Sequence, residues 1–86
     1  MFVDNPVGTG FSYVDSQNLL TRTNEEIGAD LVTFLKGFLN KNPSYSTNPL
    51  WVFCESYGGK MTIEFAKQLN KVNIYIHTYR FYLIDK

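Results

Sequence analysis

At 86 residues the chain is at most one small domain, and so short a chain leaves much of its surface wet. Eight basic residues against eight acidic ones leave no electrostatic footprint for nucleic acid or an anionic membrane surface. A single cysteine, Cys54, excludes an internal disulfide, and no apolar run approaches the roughly 18 residues needed to span a bilayer.

In chain order, "MFVDNPVGTG" comes first. It lacks the basic and apolar regions of a signal peptide, so the chain, taken as complete, reads as cytosolic. Phe2, Val3 and Asp4 read as the end of a strand. Asn5-Pro6 and Gly8-Thr9-Gly10 then form a turn-rich loop. A helix is predicted over 24–40. Thr23 and Glu26 stand at capping-box spacing, and Glu25 and Glu26 suit the positive helix end. Ile27, Leu31, Phe34, Leu35, Phe38 and Leu39 form its apolar stripe, read as core.

Residues 41–49, "KNPSYSTNP", are a loop by composition, and the proline of Asn42-Pro43-Ser44 rules it out as a glycan acceptor. "LWVFC" at 50–54 is too short for a helix and is predicted to be a strand buried on both faces. A second helix is predicted from just after Ser56 to about Lys71, with Met61, Phe65 and Leu69 on one side. Strands alternating with helices give an α/β class with a parallel sheet. From Val72 onward, Val72, Ile74, Ile76 and Thr78 alternate with Asn73, Tyr75, His77 and Tyr79, a strand-like tail.

The chemistry concentrates in "WVFCESYGGKM" at 51–61. An apolar run ends in Glu55-Ser56-Tyr57 and turns on Gly58 and Gly59. A nucleophile elbow has this shape: a tight turn lifts the serine from the sheet, and the next amide, here that of Tyr57, faces the oxyanion hole. The G-x-S-x-G form asks for glycine at 54 as well as 58, and position 54 is Cys54. On the bare pattern, a surface turn and a catalytic elbow both stand.

The wider sequence separates them. "FVDNPVGTGFSYV" followed by "VFCESYGGKM" resembles the serine carboxypeptidase family, and is most similar to its retinoid-inducible branch. The resemblance covers residues 1 to about 71 and leaves 72–86 as a divergent tail. It implies part of an α/β-hydrolase domain that cleaves single residues from peptide C-termini through an acyl-enzyme, with no metal and no organic cofactor. Ser56 would be the nucleophile, and the Tyr57 amide would serve the oxyanion hole. Glu55, held protonated by its neighbours, would bind the substrate's C-terminal carboxylate, which implies acid-optimal binding. Gly58 and Gly59 would be packing glycines, and Asn5 to Gly10 would flank the cleft. A secreted, lysosomal or vacuolar location is also implied.

The same resemblance exposes what this stretch lacks. The family's Trp-Asn-Gly-Gly-Pro-Gly segment is absent, and no aspartate lies between Ser56 and His77. Glu64 is the only acid in that interval. His77 lacks the family's Gly-His context and reads as an ordinary tail residue. The chain alone is therefore expected to be a poor peptidase or none. Two rivals remain. One is an esterase or lipase of the same fold, against which Glu55 argues. The other is a non-catalytic piece that associates with a full-length relative through unpaired strands. Cys54 reads as a small buried hydrophobe, and Lys60 and Lys67 as solvated helix charges.

Overall fold

Thr23 ends an extended stretch and caps the first helix, its hydroxyl accepting from the Glu26 amide at 3.2 Å. In the computed structural model, which describes residues 1–72 and 79–84, that helix is α1, Asn24–Lys41. The Glu26 carboxylate reaches back to the amide of Arg22 at 3.3 Å, one residue beyond the cap position that a capping box would use. At the other end the backbone and side-chain nitrogens of Asn42 both donate to the Phe38 carbonyl, at 2.9 and 3.0 Å. A short 3-10 turn at Pro43–Tyr45 leads to strand β1, Leu50–Glu55. Helix α2 follows at Gly58–Lys71, and strand β2 at Tyr79–Ile84. β2 lies parallel to β1, in register from Leu50 opposite Tyr79 to Glu55 opposite Ile84. The predicted α/β class and parallel pairing are therefore present as a β-α-β unit preceded by a helix.

Val32 and Leu35 of α1 meet Phe65 and Leu69 of α2, with Leu50 and Val52 of β1 packed against them. This is the core that holds the β1–α2 turn over α1. Because this core covers one face of β1, the strand is not buried on both faces, as its unbroken apolar run suggested. Leu50, Val52 and Cys54 are half-buried, while Trp51 and Phe53 are 53% and 65% exposed. On the open face the Tyr82 ring stacks on both, at 5.8 Å from Trp51 and 5.1 Å from Phe53.

Two further expectations change. Residues 2–4 form no strand. A cleft of about 620 Å³ separates them from the edge of β1 that β2 leaves uncovered, so no ladder joins the two. Within the α1 stripe, Phe34 is 42% exposed and Val32 is buried in its stead, because the face toward α2 centres on Gly28, Val32 and Leu35. Phe38 instead packs on the Tyr45 ring at 5.7 Å. Most of the strand expected from Val72 to Tyr79 lies outside the described residues.

The two glycines of α1 separate packing from propensity. A Cβ on Gly28 would meet Gln68 Nε2 and Glu64 Cγ at 2.9 Å and the Glu64 carbonyl carbon at 3.1 Å, whereas one on Gly37 meets nothing within 4 Å. Gly37→Ala should therefore stabilise the protein by about 0.5–1 kcal/mol through helix propensity. Gly28→Ala should destabilise it by about 1–3 kcal/mol by forcing α1 and α2 apart. Urea-denaturation midpoints of the two variants, made in the full gene product, check both signs.

Candidate active site at the β1–α2 turn

Only Ser56 and Tyr57 separate the last residue of β1 from the first residue of α2. A strand can reverse into a helix over so few residues only by a sharp backbone turn. Ser56 makes that turn at φ 57°, and it is the one non-glycine residue with positive φ among the described residues. A residue with a Cβ takes this conformation at a cost of about 1–2 kcal/mol. Tyr57 is back in the right-handed region at φ −59° and ψ −27° and takes the N-cap position of α2. The Tyr57 side chain does not cap this helix end. The first amides after the serine, those of Tyr57 and Gly58, make no hydrogen bond among the described residues, while the Gly59 amide bonds the Ser56 carbonyl at 3.0 Å. The arrangement sets an exposed hydroxyl beside open donors at the positive end of a helix.

The small residues around the turn have a geometric reason. A Cβ on Gly58 would stand 3.3 Å from the Cβ of Cys54, tighter than carbon–carbon contacts allow without a shift. The strand and helix approach so closely at these two positions that side chains on both would require a shift of a few tenths of an ångström. Here the strand carries one, and the glycine stands on the helix side. Cys54 is half-buried, as a small packing residue, and its Sγ lies 3.5 Å from the Tyr82 carbonyl.

Glu55 closes β1 with its side chain exposed and makes no side-chain hydrogen bond or ion pair among the described residues. The cleft along the open edge of β1 reaches Glu55, Gly58 and Met61 at the turn. Its other wall is the N-terminal segment, which is joined to α2 where Asn5 Nδ2 donates to Met61 Sδ at 3.4 Å. The loop after Asn5 is closed by Asp4, whose carboxylate accepts from the Phe11 amide at 2.8 Å and whose carbonyl accepts from the Ser12 hydroxyl at 2.7 Å. Gly10, at φ 54°, leaves the room that the Asp4 carboxylate fills. Asp4 was not singled out in the sequence, although an aspartate ahead of a Gly-rich loop is a loop-closing signal.

Tyr57 has partners that spacing did not foretell. Its hydroxyl donates to Asn24 Oδ1 at 2.8 Å, across 33 residues of sequence, and the Lys60 ammonium lies 5.9 Å above its ring. Lys67, read as a solvated charge, pairs with Glu64 at 3.4 Å. Glu64 lies well into α2 and also accepts from Gln68 at 3.3 Å. His77 lies outside the described residues.

Residues 1–83 match a family profile described as serine carboxypeptidase. The chain is 41% identical over 71 residues to the retinoid-inducible serine carboxypeptidase of Rattus norvegicus, covering 83% of this chain and 16% of that protein. It is 42% identical over 73 residues to a probable serine carboxypeptidase of Dictyostelium discoideum, covering 85% of this chain and 15% of that protein. Against the vitellogenic carboxypeptidase of Aedes aegypti the identity is 38% over 66 residues, covering 77% and 14%. No solved structure matches at a significant level. The chain thus spans about 16% of the length of the rat relative.

The turn geometry yields two linked expectations. Gly58→Ala should cost about 1 kcal/mol, because the Cys54 Cβ is fixed by its strand and cannot retreat. Cys54→Gly in the same chain should remove most of that cost, a coupling that a double-mutant cycle measures. Ser56→Gly should raise the denaturation midpoint by the equivalent of about 1 kcal/mol, since glycine adopts positive φ freely.

Proposed function

Because the chain belongs to the serine carboxypeptidase family, we propose that it supplies the nucleophile of a serine carboxypeptidase acting on the C-termini of peptides or proteins. The observation that carries this reading is Ser56 itself, in a left-handed turn between a strand and a helix, with open amides beside it. The Ser56 hydroxyl attacks the scissile carbonyl carbon and loses its proton to a base. Negative charge gathers on the carbonyl oxygen, and the Tyr57 amide is the donor best sited to receive it. As the tetrahedral species collapses, the base passes that proton to the scissile nitrogen, the C–N bond breaks, and the C-terminal residue leaves as an amine while an ester remains on Ser56. Water then cleaves that ester.

Glu55 gives the reading its substrate class. An acid next to the nucleophile, exposed and free of a cationic partner among the described residues, suits a carboxyl–carboxylate hydrogen bond with a peptide C-terminus. An esterase or lipase would want apolar surface there. After Ser56 the sequence offers one histidine, His77, outside the family's Gly-His context, and no aspartate between the two, so the 86-residue chain by itself is proposed to be inactive. A secreted, lysosomal or vacuolar site of action accords with this proposal.

A second reading has one observation in its favour. The stacked, exposed face of Trp51, Phe53 and Tyr82 is apolar surface that calls for cover, which suits a chain that associates with more protein, such as a full-length relative.

A fluorophosphonate probe applied to the polypeptide expressed from its full gene should label Ser56, and Ser56→Ala should abolish labelling. Glu55→Gln should lower kcat/KM on peptides at least tenfold while leaving hydrolysis of a C-terminally blocked ester near the wild-type rate. Equal loss on both substrates would favour the esterase.

A further inference from the structure

The Tyr57 side chain is held at both ends by groups from different helices. Its hydroxyl donates to Asn24 Oδ1 at 2.8 Å, and the Lys60 ammonium sits above its ring at 5.9 Å. Asn24 is the first residue of α1, fixed by the Thr23 cap immediately before it. The same turn of α1 receives the far end of α2, where Gln68 Nε2 donates to the Glu25 carbonyl at 2.8 Å. Both ends of α2 are thus tied to one turn of α1, and the tie at the serine end runs through the Tyr57 phenol.

The backbone at this point has reason to need a tie. Ser56 is held in an unfavourable conformation, and α2 begins without a cap from the Tyr57 side chain. Relaxation of Ser56 toward an ordinary φ would rotate the Ser56–Tyr57 peptide and turn its N–H away from the space beside the serine hydroxyl. The same rotation would carry the Tyr57 ring off Asn24. A hydrogen bond between side chains 33 residues apart therefore opposes the movement of a backbone amide.

We propose that Asn24 is a positioning residue: through the Tyr57 hydroxyl it holds the Tyr57 amide in the orientation that receives the oxyanion. This rests on the reading of Ser56 as nucleophile. It gives the Tyr57 side chain a task distinct from contacting substrate, and it makes the start of α1 part of the catalytic apparatus at one remove.

The test uses the polypeptide expressed from its full gene, with Tyr57→Phe, Asn24→Ala, their combination, and Asn24→Asp. Tyr57→Phe and Asn24→Ala should each lower kcat about three- to tenfold, with KM unchanged and the Ser56 fluorophosphonate labelling rate falling in parallel. The double variant should lose no more than either single one. Asn24→Asp, which keeps the acceptor oxygen, should restore the rate. Wild-type rates in correctly folded Tyr57→Phe and Asn24→Ala overturn the proposal, as do losses that simply multiply in the double variant. A rise in KM with kcat unchanged also overturns it, by assigning the ring to substrate contact. If wild-type Ser56 takes no label at all, the nucleophile reading itself has failed, an outcome distinct from a labelled enzyme indifferent to Asn24.

Discussion

The structure depends on one close approach, between Cys54 at the end of β1 and Gly58 at the start of α2. A strand and a helix joined by two residues are forced together at those positions, and the backbone between them has no relaxed solution for a residue bearing a Cβ. The serine that takes the strain stands exposed to solvent, and the amides of Tyr57 and Gly58 behind it are left without partners among the described residues. Exposure of the hydroxyl, openness of the donors and the demand for a small residue at position 58 are consequences of the same short connection.

Strain of this kind persists only where the surroundings outweigh it. Below the turn, Phe65 and Leu69 press α2 onto Val32 and Leu35 of α1, and Gly28 lets the two helices approach to backbone distance of Glu64. Around it, the phenol of Tyr57 and the amide of Gln68 fasten α2 to the first turn of α1. The loop closed by Asp4 leans on Met61 through Asn5. Helix α1 receives both the Tyr57 and the Gln68 ties at its first turn.

The covering of β1 is one-sided. The core formed by the two helices packs on Leu50 and Val52, and the opposite face shows the stacked rings of Trp51, Tyr82 and Phe53. A parallel pair of strands ordinarily has both faces covered. Among the described residues, the open face and the open edge of β1 beside the N-terminal segment are places where this fold invites further protein. A catalytic reading of Ser56 and a reading in which the chain associates with a larger partner are therefore compatible physically, since a complete serine hydrolase needs a base and a water-excluding surround that these elements do not supply.

Much of the local structure was legible in the sequence, because it is encoded locally. Thr23 and Glu26 at cap spacing, the stripe from Ile27 to Leu39, the apolar run from Leu50 and the Ser56-Tyr57-Gly58-Gly59 turn each state their conformation within a few residues. The parallel class followed from their order, and the family from two motifs. What tertiary structure alone decided depends on which surfaces meet. Trp51 and Phe53 are exposed, although the run around them is uniformly apolar, because the core packs on the face of Leu50 and Val52 alone. Phe2 to Asp4 form no strand because pairing requires a neighbour within reach, which no local pattern reports. Tyr57 finds Asn24 because packing of α2 on α1 brings together residues 33 apart, and a contact of that range leaves no periodic trace in a single sequence.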